Sequence, residues 1–509
     1  MLFLPGKERK HSHRGKYSTQ QFKAVSLWTR KTMRCSSKYL FAFCACVILS
    51  LYSVFFFNPI SLKPALQHYG RLDEVQDGLE NDHDVFSLWN FEDKLLSKAI
   101  KTGNSVRMKN ILRKALRGED IKLVVLGGSN SAGGCLGADE KSLDGLYFRV
   151  FINWWNNYID GITKAVMKEI QLAIGATGSY FYSYCYQTFL GAREKIDIVL
   201  IEVSVNDLNK STPLEQLTRQ VLTHPSTPAV LFINLVSYER NNRLICTNLE
   251  CFGQTKLARY YNITSLSLRE LFCHKEKGNW RAVIKNTTAS DGQHLNVNAH
   301  ALVATMMITY VKSVFKEVIS DINKGIGQVE TKDIKLPKIL LIKSETEILR
   351  QPLCWTGKTP DASKPIHHPS LRFKIVDNVG FSMCLKLKNK TKPLRPDAFG
   401  GWCGGKKFSY LKLSVFVPAL KIKDVPTSSR SVTVMVMNER CHATIWLDNE
   451  NNTAVYFSET YIGFDQVDTV LTRVKPGYHN LTVRTMCKGT FMVSGIFVGP
   501  PDFHMRFPH

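Results

Sequence analysis

The chain has 509 residues, 44% of them hydrophobic, which excludes wholesale disorder and supplies apolar mass for two cores of roughly 150–250 residues each. Lysine and arginine number 67 against 43 acids, a formal charge of +24. No nucleic-acid recognition motif accompanies that excess; acidic glycans are the better candidate partner, and solvated lysines are the default explanation.

The first 38 residues hold ten basic side chains, from Lys7 to Lys38, against the single acid Glu8. Residues 39–57, "YLFAFCACVILSLYSVFFF", carry no charge and just span a bilayer core as a helix. The run ends in "FFFNPI", which offers no cleavage site, and the upstream cations hold the N-terminus in the cytoplasm. The expected topology is therefore a basic tail (1–38), a signal anchor (39–57) and a lumenal remainder, a single-pass type II membrane protein. Ten of the thirteen cysteines follow the anchor, an even number suited to disulfides, with Cys246 and Cys251 spaced for a small loop. Asn209, Asn262, Asn286, Asn389, Asn451 and Asn480 each head a glycosylation sequon. A glycoprotein of the secretory pathway is the expectation.

Residues 58–117 read as a polar, acidic stem followed by a helical lead-in over 91–117. From 118 to 320 strand and helix signals alternate. "IKLVVLG" (121–127), "KIDIVLIEVS" (195–204), "STPAVLFINLVS" (226–237) and "NITSLS" (262–267) read as strands. Residues 148–170, 212–223 and 298–318 read as helices. That alternation predicts an α/β unit with a parallel sheet covered on both faces, its site at the carboxyl ends of the strands. Residues 321–345 are linker-like. From 346 to 509, β-type stretches such as "YLKLSVFVPA", "SVTVMVMN" and "TFMVSGIFVG" predict a mostly β domain, a sandwich or jelly roll.

Ser129 follows the first strand within "VVLGGSNSAGGCLG", where glycines permit a tight turn and close approach of substrate. Asp291 and His294 form the one Asp-x-x-His of the chain, just ahead of the last helix. Asn206 stands past the second strand in "VSVNDLN", able to donate its amide to an oxyanion, and Gly175 in "AIGATGS" can add a backbone N–H. Each has a plainer reading: helix cap for the serine, chance spacing for the pair, turn residues for the asparagine and the glycine.

Taken together, strand–Gly-x-Ser, a loop glycine, x-x-Asn-Asp after a strand and Asp-x-x-His before the last helix resemble the SGNH hydrolase family over about residues 118–320. The resemblance implies a three-layer α/β/α, flavodoxin-like fold. It implies Ser129 as nucleophile, His294 as its base and Asp291 as the orienting carboxylate. Ser129 N–H, Gly175 N–H and the Asn206 side chain would form the oxyanion hole, with Gly178 a substitute for Gly175. Gly128 departs from the family's usual Gly-Asp-Ser, which puts the rigidity of the turn in question. No cofactor and no metal is implied. Cys273-His274 lacks a partner pair at zinc spacing and reads as disulfide or packing. Trp154 and Trp155 read as helix packing, Trp402 and Cys403 as a structural loop.

The function expected is a serine esterase acting on acyl, above all O-acetyl, esters of glycans. A glycan O-acetyltransferase with the same triad is one alternative, because acyl-enzyme chemistry does not choose its acceptor until the second step. A non-catalytic glycan-binding protein is the other. Type II topology with a stem resembles Golgi glycan-modifying enzymes, cell-surface display being the other address open.

Overall fold

The computed structural model describes residues 93–134, 136, 143–190, 194–207, 211–236, 250, 253–273, 286–327, 335–363, 369–386, 397–405, 407–420, 429–458, 466–486, 489–503 and 505–507. The tail, the apolar run at 39–57 and the stem lie outside them, as do Cys246, Cys251, His274, Asn209 and Asn389. All described residues belong to the second of two compact units, 68–509. Among them no helix is long and apolar enough to cross a membrane.

The helix expected over 91–117 is two: α1 (Asp93–Ala99) and α2 (Val106–Leu116), with the short strand β1 (Ile100–Lys101) between. The break has a cause. Gly103 lies so close to the Asn262 backbone that an added Cβ would sit 2.4 Å from its carbonyl oxygen. β2 (Ile121–Gly127) follows, then α3 (Tyr147–Thr163) and β3 (Met167–Gln171). The helix expected to reach 170 stops because Lys164 adopts a left-handed φ of 62°. β3 was hidden in that reading because it is an edge strand, and its polar residues follow from that position.

α4 (Ser179–Leu190), β4 (Ile198–Glu202), α5 (Ser204–Asp207), α6 (Ser211–Leu222) and β5 (Ala229–Asn234) come next. α7 (Gln254–Tyr261), β6 (Thr264–Ser267), α8 (Leu268–Phe272) and α9 (Val297–Asn323) complete the α/β part. The strand order is β1-β6-β5-β4-β2-β3, parallel except for β1. Alternate β2 side chains enter two different cores. Leu123 and Val125 meet α3 and α9; Val124 and Leu126 meet α4, α6 and α7. The three-layer α/β/α fold follows. The chain reverses direction between β2 and β4, so the crevice of the sheet opens at the ends of these two strands.

The remaining strands are β7 (Leu353–Thr356), β8 (Phe373–Val379), β9 (Phe381–Lys386), β10 (Phe399–Gly404), β11 (Tyr410–Val417) and β12 (Arg430–Glu439). After them come β13 (Ala443–Leu447), α10 (Glu450–Thr453), β14 (Val455–Phe457), β15 (Gln466–Val474), β16 (Gly477–Thr485), β17 (Thr490–Gly499) and β18 (Arg506–Phe507). They make a seven-stranded and a five-stranded antiparallel sheet, packed over a core of Leu411, Leu413, Val432, Val434, Ile445 and Val483, among others. A β-sandwich is the result.

The central strands β12 and β17 of the seven-stranded sheet are buried on both faces. The sheet's outer face carries Met435, Val467 and Phe497 into the same core as α4. Tyr184 stacks on Phe497 with ring centroids 5.1 Å apart. This explains why β12 and β17 read as unbroken apolar runs, and why α4, an aromatic helix with no polar stripe, is a helix at all. Residues 340–342 are held to α6 by Glu215, whose carboxylate accepts their backbone N–H groups at 2.6, 2.6 and 2.8 Å. A disulfide between Cys185 of α4 and Cys354 of β7, 169 residues apart, closes the same interface. Removing both sulfurs (Cys185→Ala with Cys354→Ala) should lower stability by about 3–5 kcal/mol for so long a loop, read as a fall in the urea midpoint.

Candidate active site

β2 ends at Gly127, and its neighbour β4 ends at Glu202. Gly128 N–H reaches the Glu202 carbonyl at 3.2 Å and its Oε2 at 3.1 Å. The chain then makes one helical turn: Ala132 N–H donates to Gly128 O at 3.0 Å and Gly134 N–H to Ser129 O at 2.7 Å. No described residue accepts from Ser129 N–H.

Opposite stands the loop before α9. Asp291 Oδ1 accepts N–H bonds from Gln293 and His294 at 2.9 and 3.1 Å, and Gly292 takes the left-handed φ of 70° that the bend requires. Asp291 Oδ2 meets His294 Nδ1 at 2.5 Å, and His294 Nε2 meets Ser129 Oγ at 2.8 Å. The two loops are tied directly, Leu295 N–H donating to Asn130 Oδ1 at 2.9 Å. Asn296 then caps α9, its side chain accepting from Asn298 and Ala299 N–H. Gly134 is obligatory, since a Cβ there would lie 2.8 Å from the imidazole. Serine, histidine and aspartate thus form one hydrogen-bonded chain, which sequence spacing alone could not establish.

Asn206 also reaches this turn. Its Nδ2 donates to Thr177 O at 2.7 Å and lies 1.9 Å from where a Cβ on Gly128 would stand. Gly128 therefore cannot carry the family's aspartate while Asn206 holds this place. Rigidity comes from elsewhere: Glu202 below, and Tyr182, whose hydroxyl donates to Gly127 O at 2.6 Å while accepting from Ile174 N–H at 3.0 Å.

Gly175 departs from the expected role. Its N–H donates to Asp397 Oδ2 at 2.8 Å, a carboxylate that arrives from the β-sandwich just before β10. An oxyanion can use this donor only by displacing Asp397. Gly178 serves close packing instead, since a Cβ there would meet Asp207 Oδ1 at 2.3 Å, and Asp207 accepts from Ser179 N–H at 2.7 Å. Cys273 is disulfide-bonded, so its thiol is no metal ligand. Trp155 donates to Ala165 O at 3.0 Å within the core, and Trp154 stacks on Phe151 and Tyr158: both are packing residues. Trp402 and Cys403 lie in β10, where Cys403 is bonded to Cys384. Asn262 and Asn286 are exposed and Asn480 is half-buried.

Glu202, Tyr182 and Asp397 escaped sequence reasoning. For Glu202 a signal existed: it is the single acid closing the apolar run "IVLIE". It is 1% exposed. Burial pushes its carboxyl up to about 7 against the pull of the Ser131 hydroxyl and the Gly128 and Ser131 N–H groups, and the Asp207 charge adds to the rise. The folded protein keeps this proton to about 7, while an unfolded glutamate releases it near 4.5. Between those values the folded state binds more protons, so stability falls as pH rises through the window. Glu202→Gln removes that slope: from about pH 5 to pH 8 its stability should rise relative to wild type by about 2–3 kcal/mol, measured by denaturant titration at each pH.

No protein-family model and no curated protein matches the chain. Among solved structures it is similar to a two-domain esterase active on acetylated mannans, crystallised with mannopentaose: 21% identity, TM-score 0.55, covering 81% of this chain and 99% of that one. Two shorter esterases align with 38% of the chain. One, a psychrotrophic esterase of Pseudoalteromonas sp., has 16% identity, 98% of its own length covered and a TM-score of 0.29. The other, an acetylxylan esterase of Geobacillus stearothermophilus, has 15% identity, 96% covered and a TM-score of 0.28. The likeness to the first of these over 81% of the chain is one of fold: the chain has the SGNH hydrolase fold, joined to a C-terminal β-sandwich.

Proposed function

We propose that the chain is a serine esterase that removes O-acetyl groups from glycans through an acyl-Ser129 intermediate. The observation that carries this is the continuous Ser129–His294–Asp291 hydrogen-bond chain, with Ser129 Oγ 2.8 Å from the imidazole. His294 Nε2 takes the Ser129 proton as Oγ bonds to the ester carbon, and Asp291 stabilises the imidazolium that forms. The oxygen that becomes anionic receives Ser129 N–H and the second hydrogen of Asn206 Nδ2, the first being spent on Thr177 O. Collapse breaks the bond to the sugar oxygen, which leaves with the proton from His294. A water then repeats the sequence, its proton passing through His294 back to Ser129 Oγ, and acetate departs.

Glycan as the acyl carrier draws support from the two-domain neighbour, described as active on acetylated mannans, and from a β-sandwich whose Asp397 touches the cleft. We further propose a type II anchor at 39–57 with hydrolase (118–320) and β-sandwich (346–509) parts in the Golgi lumen. The uncharged run, the six sequons and the Cys185–Cys354 and Cys384–Cys403 disulfides support an oxidising compartment.

The test is the full-length chain in detergent, treated with a fluorophosphonate and assayed for acetate release from acetylated mannan. Wild type should label once and release acetate; Ser129→Ala and His294→Ala should do neither. Asp291→Asn should lose about 10³–10⁴-fold in kcat while still binding substrate. A folded wild type that neither labels nor releases acetate would remove the esterase reading.

A further inference from the structure

The triad accounts for Ser129, His294 and Asp291, yet a fully buried carboxylate beside it has no part in that chain. Glu202 sits at the end of β4, directly beneath the turn that presents Ser129. Its Oε2 accepts from Gly128 N–H at 3.1 Å and from the Ser131 hydroxyl at 2.8 Å, so it grips the residue before Ser129 and the one two after it. Ser131 Oγ is in turn 2.9 Å from the Tyr147 hydroxyl of α3. Neither glycine of the turn leaves space for a substitute. A Cβ on Gly127 would lie 2.4 Å from Ser131 Oγ and 3.1 Å from Glu202 Oε2, and one on Gly128 would strike Asn206.

We propose that Glu202 is a positioning residue for catalysis: its ionised carboxylate holds the Gly128–Ser131 turn from below, so that Ser129 presents its Oγ to His294 and its N–H to the developing oxyanion. The inference rests on the esterase reading above.

Charge-assisted hydrogen bonds are roughly twice as strong as neutral ones, so the grip tightens when Glu202 loses its proton. The groups that bear on that proton come from each element packed around it. Asp207 lies at the end of α5, and its negative charge opposes ionisation. Tyr147 of α3 and Tyr182 of α4 are buried phenols whose own ionisation is pushed up by burial, so both stay neutral donors. His300 of α9 stacks on Tyr147 at 5.9 Å and is held neutral by burial. With the carboxyl raised to about 7, the grip is set within the working range of pH rather than fixed at all pH values. Glu202 then adds one proton to the acid limb of activity.

The experiment measures kcat and KM for acetate release against pH with wild type and Glu202→Gln, in full-length chain, with thermal melting of both as a check of fold. Glutamine keeps one acceptor oxygen in the same shape, and exchanges the charge and the second oxygen for an NH2. The expected result is a folded variant whose kcat falls about tenfold with KM unchanged, and whose acid limb loses the proton that Glu202 contributes. Glu202→Ala, lacking the acceptor altogether, should fall at least tenfold further. Glu202→Gln with wild-type kcat would overturn the proposal, and so would a loss of kcat with the acid limb unchanged, since that is the mark of a purely structural residue. An inactive wild type would overturn the esterase reading together with this one, whereas an active wild type with an indifferent variant overturns this one alone.

Discussion

The close approach of two strand ends governs the site. β2 and β4 run parallel as neighbours, and past their ends Gly128 meets Asn206 with no room for even one carbon between them. That contact brings the Asn206 amide against the Ser129 turn and leaves no room for a side chain at 128, while Ser131 and Glu202 leave none at 127. A turn of two glycines is conformationally loose, and the molecule compensates from outside it: Glu202 from below, Tyr182 through Gly127 O, Asn130 through Leu295 N–H. The two loops of the triad are thereby set by the same few bonds that hold the strand ends together.

The β-sandwich takes part in this arrangement rather than hanging beside it. α4 is buried along the first two turns because the seven-stranded sheet covers the face that solvent would otherwise meet. The helix N-terminus is fixed in turn by Asp207, one residue after Asn206. A disturbance of the sandwich would therefore reach the loop 174–178 by two routes, through α4 and through Asp397 on Gly175 N–H. The second route places a negative charge at a backbone donor that the resemblance reserves for the oxyanion. In this state the Gly175 N–H is taken by Asp397, which leaves Ser129 N–H and Asn206 as the described donors on the proposed oxyanion.

The fold was legible where local pattern and environment agree. β2, β4 and β5 are apolar runs because both faces of the parallel sheet are covered, and α9 carries its own cap in Asn296. It was illegible where tertiary contacts decide. β3 carries a helix-like polar sequence because it lies at the sheet edge, and α4 reads as neither helix nor strand because its partner lies more than 160 residues away. The same division holds at the site. Ser129, Asp291, His294 and Asn206 were singled out by their places after strands and by spacing taken together with the family resemblance, and the fold brings them to one place. Gly175, the looser match to its motif, faces Asp397, because the residue that occupies its N–H comes from a distant part of the chain.

Glu202 combines both kinds of information. A carboxylate buried at 1% exposure and raised to about 7 costs the folded protein stability at neutral pH, by the sign of its proton linkage. A glutamine would offer the turn an acceptor of the same shape without that cost. Nothing in the packing of β4 calls for charge at this point, since its other four residues are buried apolar side chains. Structural economy therefore does not account for an acid here, whereas a turn that must present a nucleophile and an oxyanion donor in one register does. Proteins tolerate strained or costly groups where function is made, and the cost at Glu202 fits that pattern.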